Sequence, residues 1–409
     1  MKKRLLTASV KKSFWTLADQ CVVSLGSFLT NILLARSLLP AEYGAYALIL
    51  GIIVFLNTLH GSLLTYPLSV KGAAADENGL RRLASGSVLL TAVLVLPLSV
   101  GVVGAAWAVG KLWLTPWVFG ALLLGQVQET IRRGMIAHLR FRDALWGDML
   151  SYLGQAGCVW ILSQSGRLSL EAVFAVMALT SGVAAAIQAV QLGLRYVAFN
   201  EVCVFAKSYW DLGRWMLLNY LASFFTNQAT PWALAFFHGL EEAAALQAVN
   251  NLVGVSNPVM FSVFNLIVPA VAQVRVKGGM GAARRVALGY ATQGGVLLLP
   301  YYAILLIWPH RALSLFYGSE SPYLGFETPL SLLVLSYIFY FLYGTLGAYL
   351  NGLEKSKSTF LSQLVSTLCA LTVSLPMAAW GGIVGASGGR VLSVLAGLFA
   401  NVFFLRKVR

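Results

Sequence analysis

The residues of this chain that could do chemistry are polar side chains set at helical intervals inside long apolar runs. Thr16, Gln20, Ser24, Ser27 and Asn31 fall at i, i+4, i+8, i+11 and i+15, so they share one helical face. A polar face on a lipid-buried helix must point at protein or at a water-filled path, because hydrocarbon offers no partners. Interhelical hydrogen bonding is one use of such a face. Lining a transport cavity is the other. A second stripe is Gln126, Glu129 and Arg133, at i, i+3 and i+7. Glu129 and Arg133 are an i,i+4 pair that could form a plain salt bridge. If Arg133 faces a cavity instead, its guanidinium suits an entering phosphate, and Glu129 becomes a protonatable coupling group. Asp19 has two readings as well: pairing with nearby lysines, or a coupling role inside the cavity.

Other candidates follow the same logic. Asn57 and His60 stand at i, i+3, and His60 reads first as a packing histidine. Asn219, Asn227 and Gln228 precede Pro231, which predicts a kink. Asn250, Asn251, Asn257 and Asn265 are many amides for one membrane helix. Tyr337, Tyr340 and Tyr343 could stack on sugar rings or pack at an interface. Arg390 lies about seven residues into the last apolar run; it could snorkel, meet a dipole or face the bundle.

The elements that hold these residues are membrane helices. Of 409 residues, 58% are hydrophobic and 11% charged, with mean hydropathy +0.76. A soluble domain carries about 25% charged residues. Runs of about 20 apolar residues recur throughout, each long enough to span a bilayer core. They predict an all-α polytopic membrane protein with twelve transmembrane helices, at 13–36, 44–66, 84–109, 114–136, 144–164, 170–193, 213–237, 243–272, 286–309, 329–352, 357–380 and 383–405. The net charge of +14 does not point to nucleic acid, because the charges sit in short clusters between apolar runs. With twelve crossings, 24 Lys and Arg fall on one side and 4 on the other, with Arg390 inside a helix. That bias puts both termini in the cytoplasm. The N-terminal MKKRLLTASVKK and the apolar run after it read as a retained first helix rather than a signal peptide.

The chain divides into two lobes of six helices, 1–195 and 213–409, joined by an amphipathic cytoplasmic connector at 196–212. A weak internal repeat relates them. At an offset of 200, Trp15 meets Trp215, Glu42 meets Glu242 and Asn57 meets Asn257. At an offset of 199, Gln20, Ser24, Ser27 and Asn31 meet Asn219, Ser223, Thr226 and Thr230. The chain has no Walker-type glycine loop, zinc-protease helix or nucleophile–base arrangement. Its cysteines (Cys21, Cys158, Cys203, Cys369) lack paired or metal-ligand spacing. No cofactor, metal or enzymatic activity is expected.

The segment LLARSLLPAEYGAYAL (Leu33 to Leu48) resembles the polysaccharide-biosynthesis flippases of bacteria, in the multidrug/oligosaccharidyl-lipid/polysaccharide exporter superfamily. ETIRRGMIAHLRFRDALWGD (Glu129 to Asp148) is similar to that family's basic turn between its fourth and fifth helices. The resemblance implies two six-helix lobes facing a cationic cavity, and alternating access driven by an ion gradient or the membrane potential. It implies as cargo an undecaprenyl-pyrophosphate-linked oligosaccharide, moved from inner to outer leaflet of the bacterial inner membrane. Arg133 would then recruit the phosphate. Gln20, Asn31, Asn57, Asn219, Asn227, Asn250 and Asn251 would contact sugar hydroxyls, with Tyr340 stacking on a ring, and Glu129 and Asp19 would couple transport. Implied partners are the lipid-linked oligosaccharide, membrane lipids and other polysaccharide-assembly membrane proteins, with no nucleic acid. Few cations lie deep in the helices, and Arg390 is outside those that usually line the cavity. The rival readings are a cation-coupled multidrug exporter of the same superfamily, a membrane-embedded glycosyltransferase or polymerase, and a pore or scaffold.

Overall fold

The computed structural model describes the backbone of residues 2–138, 140–353 and 355–407. Side chains are described there except at 2–14, 16–17, 73–74, 212, 215–216, 218–228, 269, 272–273, 276–278 and 356. The described backbone is helical with short connections, and it contains no strand.

Joined across short breaks, the helices make twelve rods. They are α1 (Lys2–Ser37), α2 (40–74), α3 (Glu77–Ala108), α4 (Thr115–Ala137), α5 (141–164) and α6 (Leu170–Leu192). Then come α7 (Phe199–His238), α8 (240–278), α9 (279–307), α10 (Glu327–Gly352), α11 (356–381) and α12 (382–407). A short amphipathic helix, Pro309–Tyr317, lies between α9 and α10.

Among the described residues, seven helical stretches are long and apolar enough to cross a membrane, and the bent α8 makes an eighth. Two rods outside that set, α4 and α5, are polar at their facing ends. They carry Gln126, Gln128, Glu129, Arg132, Arg133 and Asp148. One of the seven, Lys357–Lys407, is two rods in one, because the backbone turns at Gly382 with φ +57°. A left-handed residue is costly for any side chain with a Cβ. A Cβ there would also stand 2.7 Å from Glu242 Oε2.

The chain forms two compact units. One contains residues 1–38 and 45–224, the other 39–44 and 225–409. The boundary falls inside α7. Within the segment expected to connect the lobes, 196–212, the chain from Phe199 onward is helical and continuous with α7, a 40-residue helix. Its apolar side chains divide: Tyr196, Phe199, Val204 and Trp210 are exposed. Val197, Val202 and Tyr209 are buried, and Phe205 lies over Gly86.

Side-chain pairs fix the directions of rods within each unit. In the first, Gly26 abuts the Tyr152 backbone and Ser37 Oγ lies 2.7 Å from Ser163 Oγ. Both pairs are separated by 126 positions, so α1 and α5 run parallel. In the second, Glu242 meets Ile383 and Asn250 meets Arg390, so α8 and α12 run parallel. Each pair is four rods apart, as alternate crossing within a unit requires.

The rods also repeat in their irregularities. Five-residue π-helical stretches interrupt α5 at Met149–Leu153 and α11 at Ala370–Ser374, equivalent rods of the two halves. The second rod of each half is broken too, by a π stretch at Gly61–Thr65 in α2 and by a 54° bend in α8. Such π turns concentrate at functional places.

Around the α8 bend, neighbouring tyrosines add side-chain donors to those of the backbone. Tyr301 Oη donates to Leu252 O at 2.5 Å and Tyr317 Oη to Ala248 O at 2.8 Å. Tyr302 Oη donates to Ser256 Oγ, which donates to Val253 O. Gly382→Ala should cost roughly 1–2 kcal/mol from left-handed strain, read as a lower unfolding midpoint of the detergent-purified protein. Glu242→Gln, which keeps an acceptor for the α12 terminus, should cost less.

Candidate functional site

Most acidic residues of this chain mark helix starts. Glu42, Glu77, Asp143, Glu171, Glu201, Glu241, Glu242 and Glu327 sit in first turns, and Asp76 caps α3. Carboxylates are favoured there by the unpaired N–H groups and the helix dipole. Asp19, Glu129 and Asp148 have no such role, and they converge on one guanidinium.

Arg132 is that guanidinium, and its side chain is 9% exposed. Nη2 donates to Asp19 Oδ2 at 2.5 Å, Nε to Asp148 Oδ2 at 2.5 Å and Nη1 to Glu129 Oε2 at 3.2 Å. Each nitrogen takes a different carboxylate, and three rods, α1, α4 and α5, are tied together. Asp19 and Asp148 are fully buried. Glu129 is shared, because its Oε1 accepts from Arg133 Nε at 2.5 Å.

A ring of amides and hydroxyls holds Asp148. Gln128 and Gln188 each place Nε2 at 3.4 Å from its Oδ1. Ser151, on the α5 π stretch, donates to Gln128 Oε1 at 2.9 Å. Gln188 also donates to Ala144 O at 3.0 Å. Gly147 makes room for it, since a Cβ there would collide with the Gln188 side chain. Three carboxylates face two guanidinium groups, so with all three ionised the cluster carries one negative charge in excess. Asp19 Oδ1 is buried with no donor among the described residues. A buried acceptor without a donor is costly and is the natural seat of a proton or small cation.

The sequence pointed to Glu129, Arg133 and Asp19, and the structure brings these together. Arg133 forms the i,i+4 salt bridge with Glu129 and its side chain is 44% exposed. Two residues escaped. Arg132 counts in the charge bias as one of the cations between helices; the structure places it as a buried group inside α4. Its signal was its place three residues after Glu129. Asp148 was only part of a family-like segment; its signal was a lone carboxylate between the apolar residues of ALWGDMLSYL.

The remaining candidates scatter. Gln20 is exposed on α1. Asn31 donates to Ser27 O on its own helix at 2.9 Å, while its Oδ1 is buried without a partner. Asn57 is exposed and accepts from Gln126 at 3.2 Å. His60 is the packing histidine expected: its Nε2 lies 3.0 Å from Thr91 Oγ1 and 3.2 Å from Thr130 Oγ1. Asn219 and Asn227 lie outside the described side chains. In the second unit, Asn251 donates to Tyr43 Oη at 2.7 Å and accepts from Gln247. Asn250 accepts from Arg390 at 3.4 Å. Tyr340 is half-buried in an aromatic row with Phe264, Tyr337 and Tyr343.

Arg132→Ala should destabilise strongly, by about 3–5 kcal/mol, because it leaves buried carboxylates uncompensated. Arg133→Ala should cost within about 1 kcal/mol, as for an exposed ion pair. Thermal unfolding of both variants in detergent checks the contrast.

Comparison with known proteins agrees with this architecture. No family model matches the chain. It is 27% identical over 306 residues to the succinoglycan biosynthesis transport protein ExoT of Rhizobium meliloti (strain 1021). The match covers 72% of this chain and spans 60% of the relative's length. Among solved structures, an inward-facing multidrug resistance MATE family transporter of the MOP superfamily superposes with a TM-score of 0.76 at 11% identity, over 94% of this chain and 95% of that one. The lipid II flippase MurJ, in an inward closed conformation, gives 0.70 at 12% identity, over 97% and 87%. An outward-facing MATE transporter gives 0.63 at 13% identity, over 97% and 95%. All of these relatives are transporters or flippases rather than enzymes. The chain is a multi-pass membrane protein with the fold of the MOP superfamily, and its sequence is similar to that of a polysaccharide-biosynthesis transport protein.

Proposed function

We propose that the chain is a flippase that moves an undecaprenyl-pyrophosphate-linked oligosaccharide from the inner to the outer leaflet of the bacterial inner membrane, for cell-surface polysaccharide assembly. The observation that carries this reading is the coincidence of two likenesses. The sequence matches a protein named for succinoglycan transport, and the fold matches one named as a lipid II flippase. Alternating access is the mechanism proposed, in line with inward- and outward-facing structures of the same fold. Both termini are placed in the cytoplasm on the strength of the charge bias between loops. The partners proposed are the lipid-linked glycan, membrane lipids and other membrane proteins of polysaccharide assembly.

In this reading the Arg132 cluster is the coupling site. Its excess negative charge and the orphaned Asp19 oxygen make it the place where a proton or cation entering the first unit is held. Glu129 links that charge to Arg133, the exposed cation that would meet an anionic substrate group from the cytoplasm. Asp148 joins Asp19 and Glu129 as a third acidic member. Such acids also suit the second reading, a cation-coupled multidrug exporter, which the MATE-like fold favours.

Deleting the gene should trap lipid-linked repeat units on the cytoplasmic face. Their arrival at the outer face, with no redundant carrier present, would refute the flippase reading. Export of drug cations by the purified protein in proteoliposomes, without flipping of lipid-linked glycan, would favour the exporter. In the same proteoliposomes Asp19→Asn should remove the dependence of transport on an ion gradient while Arg132 keeps its other two carboxylates. A full gradient response in Asp19→Asn would remove Asp19 from coupling.

A further inference from the structure

We propose that Arg390 is the centre of an oxyanion-binding site within the second unit, built with Asn250 and Tyr337, that takes an anionic group of the carried molecule. It deepens the transport reading above and rests on it for what carries the anion. The shared chemistry is a phosphate or carboxylate oxygen, supplied by the diphosphate of a lipid carrier or by an acidic sugar.

Arg390 lies eight residues beyond Gly382 on α12, about 12 Å along the helix, and seventeen before Lys407. It is therefore inside the membrane-spanning part of the rod and not at its end. A charge in that place is expensive, and it persists where it meets a partner or a ligand. Among the described residues, no carboxylate forms an ion pair with it. Its protein contacts are one long hydrogen bond, to Asn250 Oδ1 at 3.4 Å, and the Tyr337 ring, 5.3 Å from ring centroid to guanidinium carbon. Arg132 in the first unit shows the opposite state of the same group, with every nitrogen committed to a carboxylate.

The geometry around Arg390 prepares it for an anion. The Tyr337 ring makes a cation–π contact with the guanidinium and takes up one side of it. The N–H edge is left for a planar, two-pronged acceptor, which is how guanidinium binds carboxylate and phosphate. Five N–H donors cannot be satisfied by one long amide contact. Asn250, held through its oxygen, brings a carboxamide N–H2 group beside the same edge. Gln247 and Asn251, at i−3 and i+1 from Asn250, continue the polar face of α8.

Glu242, the α8 carboxylate that meets α12, stands eight residues before Asn250, and its Oε2 accepts from Ile383 N at 2.6 Å. That contact is seven residues, about 10 Å along the helix, from Arg390.

The test uses the full chain purified in a neutral detergent, with inorganic diphosphate and glucuronate as probes and glucose as the uncharged control. The wild-type protein should bind at least one of the two anions, and Arg390→Gln should weaken that binding about tenfold or more. Arg390→Lys should fall between, since it keeps the charge and loses the fork. Arg167→Gln, which removes an exposed loop charge, should match the wild type. Preference for diphosphate assigns the site to the lipid carrier; preference for glucuronate assigns it to an acidic sugar. Absence of wild-type binding to either anion, or equal binding in Arg390→Gln, overturns the proposal. If Arg390→Gln does not give monodisperse protein, Asn250→Leu is read instead, and unchanged binding in that variant also overturns it. The two readings fail separately. Binding through Arg390 without any flipping of lipid-linked glycan would sink only the transport reading. Flipping that is unaltered in Arg390→Gln would sink only this site.

Discussion

Arg132 presents the three nitrogens of one guanidinium to three carboxylates from three rods, and the first unit is arranged around that contact. Hydrocarbon cannot solvate Asp19, Glu129 or Asp148, so each must be met by protein. A guanidinium is suited to the task because it stays charged and offers five donors in a fixed plane. Meeting it forces α1, α4 and α5 to converge at one height. Their other polar groups follow: Gln128, Gln188 and Ser151 close around Asp148, and Gly147 is small so that Gln188 can reach. His60, Thr91 and Thr130 satisfy one another in the same unit, on α2, α3 and α4. The apolar packing of α3, α4 and α6 around Leu80, Ala84, Ile131, Met135 and Ala185 fills the space between these polar contacts.

The second unit uses charge differently. Its acid, Glu242, serves a backbone terminus, and its buried-side cation, Arg390, rests on a tyrosine ring and an amide. One unit thus holds an internally compensated cluster with a single negative charge in excess, the other an uncompensated positive group. Such division of roles fits a protein whose two halves share an architecture in rods and irregularities but not in chemistry.

The rods were legible in the sequence because apolar runs of the right length leave little choice in a membrane. The count of twelve and the alternating direction followed from them. The failures have local causes. The segment after Tyr196 reads as a connector by its mixed composition, yet nothing between Phe199 and Thr230 compels the helix to stop, and burial of Tyr209 extends it. Arg132 and Arg133 are adjacent and equally cationic in one dimension. What separates them is contact with Asp19 and Asp148, 113 and 16 positions away, which no helical spacing on α4 can reveal. The same holds for Asn251, whose partner Tyr43 is 208 positions distant. The stripe on α1 is real as a spacing, but Gln20 is exposed and Asn31 turns back on its own helix, so the face is divided in use.

The bend in α8 has a mechanical consequence. An unbroken helix in lipid is stiff because tilting it would pull amides from their carbonyls with nothing to replace them. Around residues 252–256 phenol hydroxyls stand beside the backbone: Tyr301 Oη shares Leu252 O with Val255 N, and Tyr302 Oη reaches Ser256 Oγ. A hydroxyl swivels about a single C–O bond and can follow a carbonyl through an arc. Leu252 O can therefore keep a donor while the backbone at this point changes angle. The bend is a joint whose backbone is served by a side chain as well as by amides.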